Sequence, residues 1–440
     1  MDFRARGAAL IACAMMVPGQ AAPARVPARE APAQPPLDAP ELAALGPHAV
    51  GVADTEFIQP HQLDPLQGED SPAVADRHLS LKIWYPAATS ERGTLYHSAM
   101  SGEHGADVPF TVPGIATPGA PAAQGRFPLV ILAHGYGNSP EALSWLGENL
   151  ASKGYVVVAP AFRDPPIGIR TDAAMAGPLA RRPLDILFVA VEAQRRARAG
   201  QGVFAAADAG RTVLIGYSMG GYGVLTAAGA PLDPVLAEKT RGVLAPYVAG
   251  GARQGDMRIA DLKALVAIAP PANVRGTNVW SAPGVGAIAT PTLFIVGSQD
   301  HVVGYDPGVR TLFANEVHAS RYLLTFREAG HSIALIGAPP EMRSTYWDQD
   351  WFEDPVWRKD RLMAIQAHFI TAFLDRTVKG DAAKAAYLDG LVPNSDDGSW
   401  PDAPIGRYSG FSPGAPAATL WKGFQPGKAA GISLEYRSPS

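Results

Sequence analysis

The 440-residue chain has a single cysteine, Cys13. It lies in an N-terminal stretch that reads as a removable leader, so cleavage after Ala21 leaves none. A mature chain of that kind has no disulfide, no thiol nucleophile and no thiolate-held metal. Charge is also scarce. Asp, Glu, Lys and Arg together make up 18% of the residues, and the formal net charge is −4. The Arg181-Arg182 and Arg195-Arg196 pairs are too small to make a basic face for nucleic acid. The 10 histidines show no metal-ligand spacing. Gly7 to Val17 is apolar but too short to span a membrane.

Apolar residues, glycine and proline are plentiful instead. The apolar share is 47%, with 46 glycines and 41 prolines. Such a chain buries a large core and connects it with many turns. Arg4 and Arg6, the apolar run after them, and Gly19-Gln20-Ala21 form the three parts of a signal peptide, residues 1–21. That implies a periplasmic or secreted protein. Leu10-Ile11-Ala12-Cys13 resembles a lipobox. Too few apolar residues precede Cys13, however, and the run continues past it, so lipid anchoring there is disfavoured. Residues 22–47 are rich in Ala and Pro and read as a disordered spacer.

Residues 48–390 read as one domain of alternating strands and helices. Val50 to Phe57 and Leu79 to Tyr85 are early strands. Ala87 to Gly125 lacks periodicity and reads as a surface excursion. Strands are then expected at Pro128–Ala133, Tyr155–Ala159, Thr212–Gly216, Ala264–Ala269, Thr292–Val296 and Tyr322–Phe326. Helices are expected at Glu141–Lys153, from Pro183 at its first position, from Met219, and at Lys359–Asp375. The stripe Leu184, Leu187, Phe188 and Val191 is the expected buried face of the second. This alternation implies an α/β fold, with a mainly parallel sheet covered by helices on both faces. Pro231 to Arg258 interrupts it and reads as a small cap or pocket rim. Residues 391–440 form an extension whose Trp400, Trp421 and Phe424 indicate a packed tail.

The chemistry centres on Gly216-Tyr-Ser-Met-Gly220. The preceding strand ends at a serine and a helix follows at once. Glycines two positions either side of Ser218 remove the side chains that so sharp a turn would crowd. Alone, the pattern is weak among 46 glycines. A serine hydroxyl needs a base within hydrogen-bond reach, and that base needs an orienting acid. Leu293 to Asp300 is a strand followed by a loop aspartate. Leu323 to His331 is a strand followed by a loop histidine. Both lie at the carboxyl ends of their strands, where such groups gather. Ser218, Asp300 and His331 are therefore the candidate nucleophile, acid and base. Asp306 is the second-choice acid. His301 points away if Asp300 faces the site, His318 precedes its strand, and His368 suits a packing role in the last helix. The oxyanion needs two backbone N–H donors. Met219 follows the serine, and Tyr136 lies in the turn His134-Gly-Tyr-Gly137 after an earlier strand. Trp145 reads as core packing or the border of the pocket.

These residues resemble those of the α/β-hydrolase superfamily. More narrowly, the chain is similar to secreted bacterial dienelactone-hydrolase-like and platelet-activating-factor-acetylhydrolase-like proteins. The likeness rests on Ile83 to Ala87, Phe127 to Gly137, Gly216 to Gly221, Gly297 to Asp300 and Gly330-His331. It covers roughly residues 48–390. It implies an α/β-hydrolase fold and a serine carboxylester hydrolase with no metal or organic cofactor. True dienelactone hydrolases carry a cysteine where this chain has Ser218, so that activity does not carry over. Gly135-Tyr136 and the elbow also resemble polyester-degrading cutinases. The expected substrates are small-molecule, lipid or polyester-type esters. An amidase or peptidase could use the same three residues, and a non-catalytic binding protein could retain the scaffold.

Overall fold

The computed structural model describes residues 36–89, 93–166, 169, 171–390, 392–397, 421–425 and 427–440. The expected leader, Cys13, residues 22–35 of the expected spacer and Trp400 lie outside the described residues.

In chain order, a long hairpin comes first, β1 (Ala49–Asp64) and β2 (Ala73–Ala87). A smaller hairpin follows, β3 (Thr94–Ser101) and β4 (Asp107–Gly114), then the two-residue β5 (Thr117–Pro118). The regular part runs β6 (Phe127–Ala133), α1 (Ser144–Ser152), β7 (Val156–Pro160), α2 (Asp172–Arg198), β8 (Ala207–Tyr217) and α3 (Met219–Ala227). After the short α4 (Val235–Lys239) come β9 (Leu262–Ile268), the two-residue pair β10 (Asn273–Val274) and β11 (Thr277–Asn278), and α5 (Ala282–Gly286). The rest is β12 (Thr292–Gly297), α6 (Arg310–Asn315), β13 (Arg321–Phe326), α7 (Tyr346–Asp350), α8 (Lys359–Thr377) and β14 (Ile432–Arg437).

One ten-stranded sheet has the order β14-β13-β12-β9-β8-β6-β7-β2-β1-β5. The block from β13 to β7 is parallel. β14 and β2 flank it antiparallel. Strands buried on both faces read as near-continuous apolar runs. β7, β12 and β13 are buried throughout, and β6 is buried after its first residue. From β6 the chain crosses to β7 on one side and from β7 back to β8 on the other. Right-handed crossovers then place α1 and α2 on opposite faces. α1 packs with α8, and α2 with α3. This is the α/β-hydrolase arrangement the sequence predicts.

Four local expectations are corrected. The spacer ends before residue 47: Ala43 is buried, Glu41 N–H donates to Gly423 O at 2.8 Å, and Gly46 N–H donates to Ser152 Oγ at 2.8 Å. The stretch 87–125 is not a bare excursion, because the β3–β4 hairpin buries Tyr96, Met100, Phe110 and Val112. The tail contributes a strand, β14, in addition to the buried Trp421 and Phe424.

The largest revision concerns α2. It starts at Asp172, where the Thr171 hydroxyl accepts the Ala174 N–H and caps the helix. Pro178 and Pro183 are interior. Pro183 has no N–H for the Leu179 carbonyl four residues back. The Tyr222 hydroxyl donates to that carbonyl at 2.8 Å, so the neighbouring helix supplies the missing donor. Both prolines are tolerated without ending the helix. The buried face is Leu184, Ile186, Val189, Ala190, Ala193 and Ala197; of the expected stripe Leu184 is buried, Leu187 and Phe188 are half-buried, and Val191 is exposed.

Candidate active site

Ser218 stands at the end of β8 with φ 52° and ψ −119°, a left-handed φ that a residue bearing Cβ rarely adopts. The surroundings hold it there. Ser218 N–H donates to Ile268 O at 2.8 Å, and its carbonyl accepts Tyr222 N–H at 3.1 Å. A Cβ on Gly216 would lie 2.3 Å from Gly220 O, and one on Gly220 would lie 2.2 Å from Ala133 O. Both glycines are therefore required by close backbone approach.

The three candidate residues meet. His331 Nε2 lies 3.0 Å from Ser218 Oγ, and His331 Nδ1 lies 2.7 Å from Asp300 Oδ2. Asp300 is buried, and its other oxygen accepts Val302 N–H at 2.9 Å and Val303 N–H at 3.0 Å. Burial raises its pKa, but the His331 bond and charge and the two N–H groups outweigh that, holding it below the usual 3.8. Asp300 is thus ionised and fixes His331 with Nδ1 as donor, leaving Nε2 to face the serine. Ser218 and His331 remain partly exposed.

The competing residues do not join them. His301 and Asp306 are exposed. His318 Nδ1 sits 2.6 Å from Gly286 O. His368 is buried and accepts Leu42 N–H at Nδ1, 3.2 Å away. Burial and the nearby Lys153 charge press its pKa down to about 3.

Met219 opens α3, so its N–H has no partner within the helix. The turn 134–137 lies against the elbow: a Cβ on Gly135 would be 3.2 Å from Ser218 Cβ. This brings Gly135, the residue before Tyr136, against Ser218. The Tyr136 hydroxyl donates to Pro165 O at 2.9 Å.

Several contributors are not evident from sequence. Tyr217 stacks on His331, with ring centroids 5.2 Å apart, and its hydroxyl donates to His331 O at 3.1 Å. The next three carbonyls are also occupied. Lys359 Nζ donates to Ser332 O, Gln366 Nε2 to Ile333 O at 2.8 Å, and Trp145 Nε1 to Ala334 O at 2.8 Å. Four consecutive carbonyls are each taken by a different side chain, drawn from β8, α8 and α1, which immobilises the histidine loop. Position 217 lies inside the motif, where the spacing marks the serine and glycines but not the tyrosine. Lys359 and Gln366 carried no signal.

Residues 231–258 bury Leu232, Leu236, Leu244 and Val248. Arg241 donates to Pro65 O at 3.0 Å and Gly68 O at 2.9 Å in the β1–β2 connection, and Lys239 pairs with Asp172 at 3.4 Å. A cavity of about 470 Å³ is lined by Asp64, Arg77, Asp164, Arg181 and Arg182 among others. Its lining does not include Ser218, Asp300 or His331, so it is not the space above the serine. Among the described residues no group of three or more His, Cys, Asp or Glu gathers as a metal site, and no helix is long and apolar enough to cross a membrane.

Strand order, elbow and serine–histidine–aspartate contact together define an α/β-hydrolase. Residues 114–233, which include Tyr136 and Ser218, match the PETase family model, described as PET hydrolase-like. The matched segment supports a carboxylester hydrolase of this fold class. Among solved structures it is similar to a ferulic acid esterase from Streptomyces cinnamoneus, with 21% identity, 78% of this chain and 94% of that chain covered, and a TM-score of 0.49. No curated protein matches the chain.

Proposed function

We propose that the chain hydrolyses esters through an acyl-enzyme formed on Ser218. His331 Nε2 takes the hydroxyl proton as the oxygen attacks the carbonyl carbon. Asp300 stabilises the resulting imidazolium. The N–H groups of Tyr136 and Met219 receive the oxyanion, each contributing about 3 kcal/mol. His331 returns its proton to the leaving alcohol, then activates water to release the acid. The observation that carries this reading is the unbroken chain Ser218 Oγ, His331 Nε2, His331 Nδ1, Asp300 Oδ2, at 3.0 and 2.7 Å.

The description of the matched family supports polyesters as substrates. Partial exposure of Ser218 and His331 favours access from the surface. The leader at residues 1–21 supports action outside the cytoplasm. Ser218→Ala is expected to lower kcat on a short p-nitrophenyl ester by on the order of 10⁶-fold with the fold intact. A wild-type rate would sink the assignment. An ester panel of graded acyl length, including a polyester film, then identifies the preferred substrate.

A further inference from the structure

The turn that presents Tyr136 contains two glycines, and Gly137 has φ 64°. A segment this permissive does not hold one peptide orientation unaided. Its supports come from elsewhere. Phe162 N–H donates to His134 Nε2 at 3.0 Å, so the His134 proton is on Nδ1, which donates to Gly135 O at 2.7 Å. Arg182 Nη2 approaches the same carbonyl at 3.5 Å. Its main bond is to Asp164 Oδ2 at 2.6 Å, and that oxygen also accepts Gly137 N–H at 3.0 Å. The Arg182–Asp164 pair is almost wholly buried, with side-chain exposures of 0% and 4%. The guanidinium lies 3.9 Å from the Phe162 ring centre. Among the described residues Arg182 Nε and Nη1 have no hydrogen-bond partner.

Burying a guanidinium with two nitrogens unsatisfied is costly, and an apolar pair would generally be at least as stable. Stability alone therefore does not explain the pair. Its geometry does. The C=O of Gly135 and the N–H of Tyr136 belong to one planar trans peptide, so they point in opposite directions. Donors on the carbonyl side turn the N–H away from Arg182. Gly135 packs against Ser218.

We propose that Asp164 and Arg182 are positioning residues for the oxyanion site. With His134 they clamp the Gly135 carbonyl and the Gly137 N–H, which keeps the Tyr136 N–H directed at the carbonyl oxygen of the substrate. This rests on the acyl-enzyme reading above and deepens it.

The test uses two double variants that leave no buried charge unpaired. Asp164→Ala with Arg182→Met removes the whole clamp. Asp164→Asn with Arg182→Met keeps an acceptor for Gly137. The first is expected to lower kcat by about 10- to 100-fold with KM changed less than about twofold. Its affinity for an alkyl boronate, whose tetrahedral adduct places an oxygen in the oxyanion site, falls by the same factor. The second recovers the larger part of both losses. A kcat within about twofold of wild type in the first, or a reduced kcat with unchanged boronate affinity, would overturn the proposal. If the doubles do not fold, Arg182→Lys keeps the charge but not the planar fork. It is expected to lose about tenfold in kcat, and an unchanged kcat overturns the proposal. Ser218→Ala is run in parallel. A wild-type rate there removes the acyl-enzyme reading and this inference together, whereas an inactive Ser218→Ala beside unaffected clamp variants removes this inference alone.

Discussion

The turn at Ser218 and the turn at Tyr136 touch each other but are held by opposite means. At the elbow the restraint is an absence of side chains. Gly216 and Gly220 leave no room for Cβ, and backbone bonds fix the serine peptide. At the other turn the restraint is side chains, those of His134, Asp164 and Arg182. Packing the backbone tightly gives a rigid conformation that is visible as a motif. Clamping it with buried polar groups gives an orientation set by residues far away in the chain. In the proposed mechanism the nucleophile depends on the first and the oxyanion site on the second.

The two turns predict different responses. The histidine loop comes first, since both turns serve it. Asp300→Asn is expected to lower kcat by about 10⁴-fold, some 5 kcal/mol of barrier, because the base loses its orienting charge. The same variant has a pH signature in stability. The folded pKa of Asp300 lies below its ordinary value, so its stabilisation is fully present above about pH 4. It is lost as pH falls through the folded value. The difference in melting temperature between wild type and Asp300→Asn should therefore shrink from about pH 6 to about pH 3. A constant difference would contradict the linkage.

Gly220→Ala strikes the elbow. The new methyl has only backbone to displace, and the expected loss exceeds about 4 kcal/mol in chemical denaturation. Gly137→Ala strikes the other turn, where the obstacle is a left-handed φ. A loss of about 1–2 kcal/mol is expected. Equal costs at the two glycines would erase the contrast. The smallest effect belongs to Tyr217→Phe. It removes the hydroxyl bond to His331 O and keeps the stacked ring. Stability should fall by about 1 kcal/mol and kcat by severalfold at most.

What could be read from sequence follows from the same distinction. Continuous apolar strands, the elbow glycines and loop residues just beyond strand ends are local patterns, so the fold and the meeting of Ser218, Asp300 and His331 were legible. The β3–β4 hairpin was not. Tyr96 and Met100 are its buried anchors on one strand, with His97 and Ser98 between them. Prolines 109 and 113 further disguise the other strand. β14 offers only Ile432 and Leu434 as buried positions. The two prolines of α2 read as breakers because the hydroxyl that rescues one of them comes from Tyr222, on another helix. Asp164 and Arg182 have no local signature at all, since their meaning arises only when two loops and a helix come together.

The last strand has a consequence for how the molecule is made. β14 pairs with β13 along its whole length, from Arg321↔Arg437 to Phe326↔Ile432. During synthesis β13 emerges long before its partner. Until Ile432 to Arg437 follow, the growing chain presents a bare, largely apolar strand edge. That interval is when a nascent chain is most open to pairing with a neighbour, and Ile432–Arg437 acts as a late-arriving clasp that closes it.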